Sequence, residues 1–89
     1  MPLSTVELAE ARDIAQSLLD ELGLRAYLFE IEPRGQDWEL RIDCALNGEW
    51  QSTRLQVASR ALQECRADAA ARQALLAQWR PHLEHCRRG

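Results

Sequence analysis

Along this chain the spacing of apolar residues changes period twice, from helical to alternating and back. Between residues 3 and 23, Ala11, Ile14, Ala15, Leu18, Leu19 and Leu22 recur three or four positions apart, which sets them on one face of a helix. Ser4 and Glu7 have the spacing of a capping box, and Leu3 and Leu8 that of a hydrophobic staple. Gly23 stands where a C′ glycine would close the helix. The opposite face holds Glu10, Arg12, Asp13, Asp20 and Glu21, and reads as solvated.

From residue 25 to 57 the period is two. Residues 25–32 alternate with Tyr27, Phe29 and Ile31 on one side and Leu28, Glu30 and Glu32 on the other. Pro33-Arg34-Gly35-Gln36 turns the chain. Centring that turn on Arg34-Gly35 pairs Ile31 with Trp38, Phe29 with Leu40 and Tyr27 with Ile42. The second hairpin signal, Asn47-Gly48, is stronger, because both residues tolerate the positive φ of a two-residue type I′ turn. It sets Leu46 opposite Glu49, Ala45 opposite Trp50, Asp43 opposite Ser52, Ile42 opposite Thr53 and Leu40 opposite Leu55. One sheet face then carries Trp38, Leu40, Ile42, Cys44, Thr53, Leu55 and Val57. The other carries Glu39, Arg41, Asp43, Ala45, Trp50, Ser52, Arg54 and Gln56. Both turns put their apolar sets on the same face, which predicts a three-stranded antiparallel meander.

From Ala58 the spacing is helical again, through Leu62, Cys65, Ala69, Leu76, Trp79 and Leu83. Asp68 is a candidate N-cap before Ala69-Ala70-Ala71, so a break or bend is expected there. Pro81 should end or kink the helix, leaving 82–89 as a short frayed tail. The whole is read as one domain, 1–89, of the α+β class: a two-layer sandwich in the order α-β-β-β-α(α), with the helices packed on one face of the sheet.

Composition narrows the function classes. At 46% apolar residues the chain is expected to fold. A chain of this size buries roughly 60–65% of its unfolded surface, enough for one modest core. Net charge is −3 but unevenly spread. Residues 1–49 hold eleven acids and four arginines, and residues 50–89 three acids and seven arginines. The halves are expected to attract each other when packed. Every basic residue is arginine, as in a GC-rich, bacterial coding sequence. The start of the chain has no apolar run of signal-peptide length, and nothing approaches the ~20 apolar residues of a membrane span. A cytoplasmic protein is expected. Three cysteines fit that compartment better than a disulfide framework does.

Candidate chemistry is sparse. His82, His85 and Cys86 cluster near the end, with Cys44 and Cys65 elsewhere, but no CxxC or second ligand pair is present. No metal site is therefore assigned, and binding at the His/Cys tail is taken as incidental. Cys44 and Cys65 read as small core hydrophobes. Cys86 with His82 lacks a cavity for nucleophilic catalysis. Glu30, Glu32, Glu39 and Asp43 lie on an open face, where carboxylates stay solvated and pair with Arg41 and Arg54. No glycine-rich phosphate loop occurs. The expectation is a non-enzymatic protein without a cofactor.

The α-β-β-β-α order resembles that of double-stranded-RNA-binding domains, in topology. Those domains grip phosphates with a lysine-rich start to the last helix, whereas Val57-Ala58-Ser59-Arg60 offers one cation. KH-type domains are similar in mixing helices with a small sheet, but no GxxG loop is present. Leu22-Gly23 followed by Leu40-Arg41-Ile42-Asp43 resembles the N-terminal domain of ribosome-maturation factors, without carrying function across. RNA binding through the basic C-terminal half is thus the alternative. The first expectation is binding of another protein, or of a second copy as a homodimer, in an adaptor, inhibitor or chaperone-like role. The predicted partner-binding residues are Trp50, Arg41, Arg54 and Leu28 on the open sheet face, together with an unpaired edge strand.

Overall fold

The computed structural model describes residues 5–24, 27–46 and 48–86. In chain order the elements are α1 (Thr5–Leu22), β1 (Tyr27–Arg34), β2 (Asp37–Leu46), β3 (Glu49–Ala58), α2 (Ser59–Glu64), α3 (Ala69–Trp79) and a 3-10 helix, Arg80–Cys86. The three strands pair in the order β1-β2-β3, all antiparallel. The protein is an α+β fold with a three-stranded meander. Buried residues of α1, α2, α3 and the 3-10 helix join the inward residues of the strands in one core.

The face assignment read from the alternation holds on every strand. Trp38, Leu40, Ile42, Cys44, Leu55 and Val57 are buried, with Thr53 half-buried at the margin. Leu18, Leu19, Leu62, Leu76, Trp79 and Leu83 meet them from the helices, all nearly inaccessible. Each such fully buried side chain contributes about 1.5–3 kcal/mol of transfer free energy. Leu75, absent from the expected stripe, is buried as well, while Ala69 is exposed at the start of α3.

The β2–β3 register is the one set by Asn47-Gly48, with Ala45 opposite Trp50 and Leu40 opposite Leu55. Asn47 itself lies outside the described residues, and Gly48 has φ 83°. The β1–β2 register differs from expectation by two residues. Ile31 pairs with Leu40, Phe29 with Ile42 and Tyr27 with Cys44, so the loop is Gly35-Gln36. Gly35 takes φ 64°, a value an arginine at the first turn position would adopt only with strain. A shift of two exchanges partners but not faces, so the core residues are those the alternation predicts.

Helix α1 ends as expected. Gly23 has φ 68°, and its amide donates to Asp20 O at 3.1 Å. The capping box and staple involve Leu3 and Ser4, which lie outside the described residues, as do residues 25 and 26, where the first strand was expected to begin. The C-terminal helical region is split in two. Asp68 caps α3, its Oδ1 accepting from the Ala70 and Ala71 amides at 2.9 and 3.3 Å. The expected loose tail is corrected over residues 82–86. Pro81 has no N–H for an α-helical ladder, and the chain continues as a 3-10 helix. At three residues per turn Leu83 and Cys86 share a side, and both are buried. Residues 87–89 of that tail lie outside the described residues.

The uneven charge resolves into contacts between the halves. Arg66 pairs with Glu10 at 3.2 Å. Arg72 pairs with Glu21 at 3.0 Å and donates to Ser17 Oγ at 2.8 Å. Such partly exposed pairs contribute up to about 1 kcal/mol each. Their greater effect is to occupy two of the arginines from which an RNA-binding stripe would be built.

Candidate functional site

The outer face of the sheet has an apolar end and a charged end. At the apolar end Leu28 on β1, Ala45 on β2 and Trp50 on β3 lie on adjacent rungs, since Leu28 pairs with Asp43 and Ala45 with Trp50. Leu28 is 63% exposed and Trp50 60%; the third exposed large apolar side chain among the described residues, Val6, lies on α1. Trp50 therefore does not fold back over the hairpin end. One side each of β1 and β3 pairs with no other described strand.

At the charged end the two arginines differ in role. Arg41 Nη2 lies 3.2 Å from Glu30 and its Nε 3.6 Å from Asp43. The latter distance is too long for a hydrogen bond, and Nε is shielded from solvent without a hydrogen-bond partner. Asp43 also accepts from Ser52 Oγ at 2.5 Å. Arg41 is thus held by carboxylates of its own sheet. Arg54 sits directly opposite Arg41, where like charges repel, and has no ion pair among the described residues. It also lines a shallow groove with Gln56, Gln78, Trp79 and His82 along the β3 edge. On the same face Glu39 accepts from Arg34 Nε at 2.7 Å and Glu32 lies 4.0 Å from Arg34 Nη2; the Glu39 bond first, then the two carboxylate charges, raise the Arg34 pKa further.

The inner face holds a feature the sequence reading missed. Cys44 and Cys86 form a disulfide across 42 residues, with Cα atoms 5.8 Å apart. Cys44 is core-facing, as expected, but it is bonded rather than a free hydrophobe. One ring nitrogen of His85 lies with the two sulfurs inside a cluster no wider than 4.8 Å. His85 Nε2 is 3.3 Å from Thr53 Oγ1 on β3. His82, four residues before Cys86, is exposed and takes no part in the cluster. The combination Cys44–His85–Cys86 had one sequence signal: an inward cysteine on β2 and a cysteine three residues after Leu83.

Two further groups are perturbed. Cys65, the free cysteine, is buried, and desolvation raises its thiol pKa. Its Sγ donates to Ala61 O at 3.2 Å, so it is a satisfied core residue. Tyr27 is pushed up to about 12, first by burial and then by Asp20, whose Oδ1 accepts its hydroxyl at 2.7 Å. Gln16 Nε2 donates to the same hydroxyl at 2.6 Å. This triad ties α1 to β1. No helix among the described residues is long and apolar enough to cross a membrane.

No family model matches the chain, and neither a curated protein nor a solved structure matches it.

Proposed function

We propose that this protein is a non-catalytic binding module. It engages another protein through the apolar end of its open sheet face, with Trp50 and Leu28 as anchors and Arg54 as the charged contact. The observation that carries this reading is that two large apolar side chains stand solvent-exposed on one sheet face. Two same-face positions further along β3, Arg54 has no ion pair among the described residues, whereas Arg41 is engaged by Glu30 and Asp43. Aromatic and arginine side chains dominate binding energetics when a partner excludes water from them. A partner that presents an apolar surface and, some way along it, a carboxylate fits this face. Arg41 holds the face in shape. A second copy of the chain is the homodimeric version of the same contact.

RNA binding is less well supported, because Arg66 and Arg72 are engaged with Glu10 and Glu21. The cytoplasm is the proposed compartment. Thiol pools there would keep Cys44 and Cys86 reduced, whereas an oxidising compartment would keep them paired. Alkylation of unpaired thiols at lysis separates the two: three modified cysteines indicate the first and one indicates the second.

The binding reading is tested by affinity capture from source cells, mass-spectrometric identification and titration of the captured protein. Trp50→Ala and Arg54→Glu should each weaken binding by at least tenfold while leaving the circular dichroism spectrum unchanged. Full affinity in a folded Trp50→Ala variant would remove the proposal. Retention on an RNA column that falls steeply with salt would replace it with the alternative.

A further inference from the structure

We propose that the reduced form of the Cys44–Cys86 pair, together with His85, is a binding site for one thiophilic cation of the zinc type. Two sulfurs and an imidazole nitrogen lie within 4.8 Å of one another. A tetrahedral zinc ion, with Zn–S about 2.3 Å and Zn–N about 2.0–2.1 Å, needs ligand atoms only about 3.5–3.8 Å apart. The three atoms are therefore gathered to within a small displacement of a coordination shell before any metal arrives. Thiolate and imidazole together select zinc-like and cuprous ions over magnesium or calcium, which take oxygen ligands.

Burial favours this occupant. Cys44 and Cys86 are almost fully enclosed. Two thiolates alone in such a place would carry an uncompensated double charge, which desolvation opposes. Two thiolates with a divalent ion and a neutral imidazole carry none. Thr53 Oγ1 beside His85 Nε2 supplies the outer contact that metal-bound histidines commonly have: a hydroxyl accepting from Nε2–H leaves the Nδ1 lone pair free. Three protein ligands leave a fourth position for water or an exogenous donor.

Disulfide and metal are mutually exclusive states of the same sulfurs. A low-molecular-weight thiol is the reductant. Two equivalents pass two electrons and two protons to the pair and leave as their own disulfide, giving Cys44 and Cys86 as thiols. The cation then takes the sulfur lone pairs as two S–metal bonds form, and both thiol protons go to solvent. The site thus reports the redox state of its surroundings.

Cobalt(II) is a suitable probe of the full-length chain, reduced with a phosphine that brings no competing thiolate. The reduced protein should bind one equivalent with sulfur-to-cobalt charge-transfer bands, and zinc should displace it. The oxidised protein should give no bands. His85→Ala should weaken cobalt binding by at least tenfold, and Thr53→Val by up to about tenfold with the bands retained. The Cys44→Ser/Cys86→Ser variant, which keeps Cys65, should give no bands. Should reduction loosen the fold, zinc at one equivalent should restore the circular dichroism spectrum and raise the melting temperature. Absence of bands in the reduced protein, bands unaltered by His85→Ala, or a loosened fold that zinc does not restore would each overturn the proposal.

Discussion

Breaking the Cys44–Cys86 bond is expected to be the largest single perturbation available in this chain short of a core deletion. The bond closes a loop of 42 residues, from β2 to the end of the 3-10 helix. Chain-entropy reasoning for a loop of that length gives about 4 kcal/mol of stabilisation at 25 °C, through restriction of the unfolded state. For 89 residues the whole folding free energy is about 4–13 kcal/mol, so the disulfide accounts for a third of it or more. With an unfolding entropy of about 2.1 cal/mol/K per residue, 4 kcal/mol corresponds to a fall in Tm of about 20 °C. Two measurements check this. Scanning calorimetry with and without a phosphine reductant, in metal-free buffer, reads the bond alone. The Cys44→Ala/Cys86→Ala variant reads the same loss without a reductant, and should melt close to the reduced wild type. A Tm that falls by less than about 5 °C in both would refute the reasoning, because it would cap the contribution near 1 kcal/mol. A large fall in the double variant alone would trace the effect to lost packing rather than to loop closure.

Three other outcomes follow from the contacts. Tyr27 is the single tyrosine, so its absorbance titration is readable, with a midpoint near pH 12 rather than 10. Because the folded value is raised, its stabilising contribution is whole below pH 10 and is lost as pH climbs from 10 through 12. Tyr27→Phe should cost about 1 kcal/mol at neutral pH and flatten the stability profile in that window. Asp68→Ala should cost about 1 kcal/mol in urea denaturation, since two α3 amides lose their acceptor. Trp50→Ala should shift stability by no more than about 0.5 kcal/mol and abolish most fluorescence quenching by acrylamide, because Trp38 and Trp79 are buried.

The fold was legible wherever a single element decided the matter. Period two placed each strand residue it assigned, from Tyr27 to Glu32 and from Trp38 to Val57, on its observed face. Asn47-Gly48 set one register correctly because few residue pairs fit that turn. The other turn offered three centres among Pro33, Arg34, Gly35 and Gln36. Pro33 drew the centre too early, although a proline is tolerated in β1 because that strand lies at the sheet edge. Asp68 as a cap was readable from its side chain and the alanines behind it.

The two candidate sites differ in legibility for the same reason. Trp50, Leu28 and Arg54 could be placed from strand parity and turns alone. That Arg41 is occupied while Arg54 is not depends on which carboxylates lie across the strand, and so on the β1 register: Glu30 faces Arg41, where a turn centred on Arg34-Gly35 would have put Leu28. The Cys44–His85–Cys86 cluster asks more. Parity turns Cys44 inward, but what meets it there depends on where the last helical segment crosses the sheet. A four-residue spacing pairs Cys86 with His82 only if the segment is α-helical. After Pro81 it is a 3-10 helix, whose tighter turn aligns Cys86 with Leu83 in the core and leaves His82 in solvent. Once Leu83 is buried, Cys86 must follow it inward, and the nearest inward polarisable side chain at that end of β2 is Cys44. The 3-10 geometry that Pro81 favours is thus the step from this spacing to the bond. Replacing the α-helical turn by a 3-10 turn turns a spacing that looked like loose, solvent-facing chemistry into a buried, long-range contact.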